Sequence, residues 1–324
     1  MRTLFLHIGS HKTGTTSLQH ALRRYLAKDS DTTFIDLRKP SSKLVRSRGK
    51  RRAFQAQIDL ERAETIFADA VSLASLNTKK FICSDEDFFW LNDPVTVAKF
   101  AAIIERYFTR IYIICYLRRQ DQLAFAHRKQ VIEGHAAARF YGANVTALPR
   151  YRPYYQRYFN YARKLETIWA PAFGKDNIIL RVFERDCLMK GDIVTDFSET
   201  TDIAFEPIGK ITTNISMGGN QTYLGLRLLE AGVDASQRRK IVAALPPEGE
   251  YLPSRSEAMT FMEYFSKANS RLARLWEIND QPIEFNCNFG MYPETGSAMI
   301  WDFKPVQSKL IDVLDEEKLK KLGL

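Results

Sequence analysis

Nine residues near the start of the chain, Gly9-Ser10-His11-Lys12-Thr13-Gly14-Thr15-Thr16-Ser17, have the types and spacing that can hold a phosphate. Two glycines permit a tight turn and a close approach of backbone to ligand. The N–H groups at the start of the helix that follows lack intrahelical partners, and the helix dipole favours an anion there. Lys12 adds an ammonium, and Thr13, Thr15, Thr16 and Ser17 add hydroxyl donors. A Thr-rich helix cap with no ligand is the alternative, but a cap needs one such residue and no lysine. The order is not that of a Walker A loop, in which the lysine follows the last glycine. Here Lys12 stands two residues before Gly14.

Two more polar groups stand where apolar runs end. Lys80–Ser84 (KFICS) leads into Asp85-Glu86-Asp87, and Ile111–Leu117 (IYIICYL) ends on Arg118-Arg119. The acids read either as chemistry or as helix caps and arginine partners. His7 ends the first apolar run and reads as a core histidine, whereas His20, His127 and His135 lack a spacing that suggests a metal. The four cysteines, Cys83, Cys115, Cys187 and Cys287, are far apart with no CxxC pair, so neither a metal site nor a disulfide framework is expected. Reduced thiols in a cytoplasmic setting are the expectation.

These groups need a scaffold that gathers strand ends. Thr3–Ile8 reads as a strand, followed by the loop and a helix over Ser17–Lys28 with Leu18, Ala21, Leu22, Tyr25 and Leu26 on one face. Phe34–Leu37, Lys80–Ser84, Ile111–Leu117 and Asn177–Phe183 read as further strands. Helices are expected over Ala53–Leu76, Val95–Phe108, Asp121–Glu133, Thr222–Ala231 and Glu257–Trp276. Strands alternating with helices predict an α/β fold with three layers, α/β/α, and a central, mostly parallel sheet. The phosphate-binding loop follows the first strand, the C-terminal part is helical, and ligands belong at the carboxyl ends of the strands. We expect one domain over 1–324, with an α/β core over 1–205 and a mainly helical extension over 206–324.

Net charge is +9, and all of it sits at the front: residues 1–60 hold 13 basic and 4 acidic residues, while the remainder holds 34 of each. That excludes a uniformly basic coat for nucleic acid and points to a compact anionic ligand or a docking face. Eight of the basic residues fall between Arg38 and Arg52 with no acid, which predicts a solvated loop or lid. At 45% hydrophobic and 26% charged, the composition excludes disorder and low complexity. No run approaches the roughly 18 apolar residues that span a bilayer, so a soluble chain is expected, with peripheral membrane contact left open.

The order KTGTTS after HIGSH resembles the 5′-phosphosulfate-binding loop of sulfotransferases, especially their bacterial branch. In that family an Arg at the end of a later strand and a Ser eight residues on hold the 3′-phosphate of the donor. IYIICYLRRQDQLAFAHRKQ is similar to this element and implies Arg118, but the Ser is replaced by Ala126, leaving His127 or Arg128 as substitutes or the contact weaker. TIWAPAFGKDNIILRVFERDCLMKGDIVTDF and SEAMTFMEYFSKANSRLARLW resemble later segments of the family, and Arg255 stands where a basic loop would add a 3′-phosphate contact.

The resemblance implies 3′-phosphoadenosine 5′-phosphosulfate (PAPS) as sulfuryl donor and no metal. Lys12, Thr13, Gly14, Thr15, Thr16, Ser17 and Arg118 would bind it, with Lys12 also stabilising charge on the leaving bridging oxygen. The family's general base is a His or Glu, which implies Glu86, with Asp85 next and His11 as a further candidate. The acceptor implied is a carbohydrate or glycolipid hydroxyl, with Tyr151, Tyr154, Tyr155, Phe88, Phe89 and Trp90 as either its wall or plain core. A P-loop kinase or NTPase and a non-catalytic anion-binding protein are the competing classes; the kinase needs a metal-holding Asp that Asp85 alone does not provide.

Overall fold

The computed structural model describes residues 1–27, 31–38, 41–48, 55–134, 140–206, 217–278, 280–296 and 304–324. Its centre is a five-stranded parallel sheet built from β1 (Thr3–Gly9), β2 (Thr32–Ile35), β5 (Lys80–Ser84), β6 (Arg110–Leu117) and β7 (Ile178–Val182). The spatial order is β2-β5-β1-β6-β7, which puts β1 in the middle. The chain leaves β1 toward one edge and later crosses to the other, so the crevice for a ligand lies at the carboxyl end of β1.

The strands are apolar on both faces because both faces are covered. Leu4, Leu6 and Ile8 join Phe81, Cys83, Ile113 and Cys115 in one core, under α2 (Leu60–Leu73) and α3 (Pro94–Ile104), which contribute Phe67 and Phe100. The alternate residues Phe5, Ile82, Ile114 and Tyr116 face the other way, onto α1 (Thr15–Arg24) and the helix Ile193–Thr201. This period-two division between two buried faces is what a parallel sheet in three layers requires. His7 belongs to the second face, where its Nδ1 lies 2.8 Å from Ser84 Oγ and burial pulls its imidazole down to about 3.

The C-terminal part is mainly helical. Ala258, Phe261, Phe265 and Leu272 pack into the first core, whereas Leu224, Leu228, Ile241 and Leu310 form a separate cluster with Ile132 and Ala147. The helix expected over Glu257–Trp276 is two helices, Arg255–Glu263 and Ser266–Leu275, and the one expected over Asp121–Glu133 is α4 (Gln120–Arg128) followed by a short 3-10 turn. No helix among the described residues is long and apolar enough to cross a membrane.

The basic segment differs most from expectation. β3 (Val45–Arg48) pairs antiparallel with β4 (Gln55–Ile58), so strand replaces both part of the expected solvated loop and the first turn of the helix expected from Ala53. Leu44 and Val45 are buried in the main core, and the backbone N–H of Asp59 donates to the Leu44 carbonyl at 2.9 Å. Two adjacent apolar residues therefore anchor a strongly charged stretch. Residues 39–40 and 49–52 of the expected loop lie outside the described residues.

Candidate functional site

Three strand ends converge. β1 ends at Gly9, whose φ of 86° is left-handed and whose missing Cβ would stand 3.0 Å from the Cα and Cβ of Glu86. A side chain at position 9 would push the loop away from the β5 end. Ser10 then ties the loop to β6, its backbone N–H and hydroxyl both donating to the Tyr116 carbonyl at 2.9 and 3.2 Å. Thr13 closes the turn by donating its hydroxyl to the Ser10 carbonyl at 2.6 Å.

Lys12 has φ 58°, unusual for a lysine, and Gly14 has φ 73°. A left-handed non-glycine residue costs on the order of 1 kcal/mol, so the surrounding contacts hold Lys12 in place. The first turn of α1 has neither a side-chain cap nor an acidic residue, which leaves the positive end of its dipole facing the loop. Thr15 Oγ1 is buried without a hydrogen-bond partner among the described residues. Lys12 and Thr16 are exposed, Gly14 and Ser17 half-buried, and Thr13 and Thr15 buried. A cradle of this kind suits a small oxyanion.

Arg118 closes one side. Its Nη1 donates to the Lys12 carbonyl at 2.9 Å, and its guanidinium lies 5.8 Å from the Phe183 ring centre. Its neighbour Arg119 turns away: a paired contact with Asp121 at 2.8 and 2.9 Å and donation to the carbonyls of Asn286 and Asn288 make it structural. Gln122 lies one turn after Arg118 and accepts from it at 3.5 Å; Ala126 follows another turn on, half-buried. His127 and Arg128, the neighbours that could stand in for a hydroxyl at 126, are both buried. Arg255 pairs with Glu294.

Glu86 closes the other side. It is half-buried, it receives the Gln19 amide of α1 at 3.4 Å, and it makes no ion pair among the described residues. Its neighbours are committed: Asp85 is buried and accepts from the Asp87 backbone N–H at 2.9 Å, while Asp87 pairs with Lys43 and lies 3.3 Å from His11 Nε2. Burial, with Asp87 close by, pushes the Asp85 carboxyl up to about 7. Burial acts on Asp87 in the same sense, but the His11 contact and Lys43 overcome it and hold that carboxyl at about 2.

Lys12 is exposed as a residue, yet protein surrounds its ammonium. The resulting desolvation lowers its ammonium below the usual lysine range, with Arg118 adding to the effect and Glu133 and Glu86 opposing it. His11 is locked in a buried aromatic group: Trp90 Nε1 donates to its Nε2 at 3.0 Å, Nδ1 meets the Tyr158 hydroxyl at 2.7 Å, and the His127 ring stacks on it at 4.7 Å. These contacts tie the loop to the aromatic group. Phe88, Phe89, Trp90 and Tyr155 are likewise core, whereas Tyr151 and Tyr154 keep partial exposure.

Sequence reasoning missed Lys43, Gln19 and the Trp90–His11–Tyr158 brace. Gln19 shares a helix face with Thr15, four residues earlier, and this was the one signal available. The others are meetings between distant segments. Among the described residues, no group of three or more His, Cys, Asp or Glu side chains is arranged to hold a metal ion.

No protein-family profile matches the chain. An uncharacterized protein of Archaeoglobus fulgidus is 28% identical over 190 residues, 53% of this chain and 50% of that protein. The chain thus spans about half the length of the curated relative it matches. Among solved structures, a sulfotransferase from Alicyclobacillus acidocaldarius matches over 74% of this chain and 93% of its own, at 16% identity and a TM-score of 0.38.

Proposed function

We propose that the chain is a sulfotransferase that moves a sulfuryl group from PAPS to a hydroxyl or amine of an acceptor. The observation that carries this reading is the meeting of Lys12, Arg118 and Glu86 around an uncapped helix N-terminus. The residues fit an anionic donor: Gly9 and Gly14 take the left-handed φ that the tight loop needs, and the Thr15 hydroxyl has no hydrogen-bond partner among the described residues. Lys12, Thr13, Gly14, Thr15, Thr16 and Ser17 would hold the 5′-phosphosulfate, and Arg118 the 3′-phosphate. The Thr13 hydroxyl is spent on Ser10, so its backbone N–H is the group it offers. With Ala126 in place of a serine, the 3′-phosphate rests on Arg118.

Bound PAPS supplies a phosphosulfate bridge whose S–O bond breaks as the acceptor oxygen bonds to sulfur. The Lys12 ammonium meets the negative charge left on the bridging oxygen. Glu86 takes the acceptor's proton, since Asp87 is held by Lys43 and His11 and Asp85 is buried as a cap. In-line placement does the rest and asks no metal of these residues. We take the acceptor to be a carbohydrate or glycolipid hydroxyl, met in the cytoplasm or at a membrane surface, and the chain to act as one domain. The four free cysteines accord with a reducing compartment.

Calorimetric titration with adenosine 3′,5′-bisphosphate and with ATP tests the reading. The bisphosphate should bind and ATP should not, and Lys12→Ala should weaken the bisphosphate at least about tenfold through loss of a charge-assisted contact. Absence of bisphosphate binding would sink the proposal; tight ATP binding would favour a kinase. Sulfuryl transfer from labelled PAPS should be lost in Glu86→Gln, and unchanged turnover there would remove Glu86 as base.

A further inference from the structure

Behind Arg119 the surface opens into a cavity of about 490 Å³, a volume that suits a small organic molecule. None of residues 9–17, Glu86 or Arg118 lines it, so it is separate from the anion cradle. Its walls are the helices Arg255–Glu263 and Ser266–Leu275 on one side and residues 283–289 on the other. The hollow has a cause in sequence. Ser266, Asn269, Ser270 and Ala273 recur at the i, i+3, i+4 and i+7 positions, so one face of the second helix carries short side chains, while Ala268 and Leu272 are buried on another. Met259, Met262, Ile283, Phe285 and Phe289 supply the apolar lining, and Met259 is 47% exposed.

The polar groups of this cavity divide into spent and available. Each nitrogen of Arg119 is engaged, by Asp121 or by the carbonyls of Asn286 and Asn288. The Asn269 amide pairs with that of Gln120, and the Ser266 hydroxyl donates to the Glu263 carbonyl at 2.9 Å. Glu263 and Glu284 also line the cavity, both are exposed, and their carboxylates make no ion pair among the described residues. Arg271 lies on a different face of its helix and is paired with Glu166. The cavity therefore combines an apolar interior with two uncompensated negative charges.

We propose that this cavity binds an amphipathic amine, whose apolar body with an aromatic ring lies among the methionines, Phe285 and Phe289 and whose ammonium reaches Glu263 and Glu284. Methionine thioethers adapt to ligands of varied outline and pack well against aromatic rings. An anion would meet like charge and a guanidinium already spent, and a neutral ligand would forgo the carboxylates. Occupation would brace residues 286–288, whose carbonyls hold Arg119 next to Arg118. This is a second site, and its existence does not depend on the sulfotransferase reading.

Calorimetric titration of the full chain with 4-phenylbutylamine, 4-phenylbutanol and 4-phenylbutyrate, which share a body and differ in head charge, tests it. The amine should bind saturably at one site, at least about threefold more tightly than the alcohol, as two exposed charge pairs allow, and the butyrate should bind more weakly than either. Added salt should narrow the gap between amine and alcohol. Glu263→Gln combined with Glu284→Gln should bring the amine to the affinity of the alcohol and leave the alcohol unchanged. Ala273→Trp, which fills the cavity from the helix face, should abolish both. Both carboxylates are exposed, so the glutamine pair carries the readout if Ala273→Trp fails to fold. No saturable amine binding, an alcohol that binds as tightly as the amine, an amine affinity unmoved by the two glutamines, or binding retained in folded Ala273→Trp would each overturn the proposal. Adenosine 3′,5′-bisphosphate should not displace the amine; displacement would give the cavity to the donor and overturn it as a second site. Amine binding without bisphosphate binding keeps this site and removes the sulfotransferase reading.

Discussion

Asp85 and Asp87 sit two residues apart with their carboxyls pushed in opposite directions, to about 7 and about 2. The two share one site, so they titrate as a pair. Folded Asp85 holds its proton up to about pH 7, while the unfolded chain releases it near 3.9. Between those values the folded state binds more protons, so this group's contribution falls as pH rises from about 4 to about 7 and is level above that. Asp87 runs the other way, stabilising above about pH 4 and losing that contribution as pH drops toward 2. Asp85→Asn keeps an acceptor for the Asp87 N–H and removes the buried charge. Its melting temperature should exceed wild type by about 2–4 °C at pH 8 and match it at pH 4. An equal difference at both pH values would show that Asp85 is not the titrating group. The polar groups that hold Lys12, Glu86 and Arg118 were legible because each follows an apolar run, whereas the choice of Glu86 over Asp85 and of Arg118 over Arg119 came from the family resemblance. Lys43 could not, because its meeting with Asp87 spans two separate segments.

The loop between β1 and α1 depends on two glycines for different reasons. At Gly9 the obstacle is the backbone of Glu86; at Gly14 a Cβ would lie 3.1 Å from Ile193 Cγ2 and 3.2 Å from Phe183 Cε2, in addition to the left-handed φ. Gly14→Ala should therefore cost about 1–2 kcal/mol in chemical denaturation and weaken bisphosphate binding. Stability equal to wild type would mean that the turn relaxes freely. The strands β1, β5 and β6 were legible because continuous apolar runs bounded by polar residues have few other uses in a chain of this kind. The β3–β4 pair was not, since Leu44, Val45 and Ile58 are the buried apolar residues among those described in a basic stretch. The start of α2 was within reach: Asp59 caps it by accepting from the Arg62 N–H at 3.1 Å, a signal that outranks the apolar pattern upstream.

Across the whole molecule, the excess positive charge has a partial destination. One of the eight basic residues, Lys43, is drawn onto the acidic turn after β5, while Arg38 and Arg46 remain exposed. The exposed members would attract an anionic donor over about a Debye length, roughly 8 Å at physiological salt. Replacing Arg38 and Arg46 by glutamine should slow bisphosphate association several-fold and flatten its salt dependence, with turnover of bound substrate unchanged. Association and salt dependence identical to wild type would leave those two residues as ordinary surface charge.

The position of β1 in the middle of the sheet also governs when the site can exist. The His7–Ser84 contact bridges 77 residues and the Ser10–Tyr116 contact 106, so no contiguous fragment shorter than the first hundred or so residues holds the loop in shape. During synthesis the Lys12 loop must wait, unsupported, until β6 has emerged. Folding should therefore be slow for the chain's helical content, with the anion cradle among its last products.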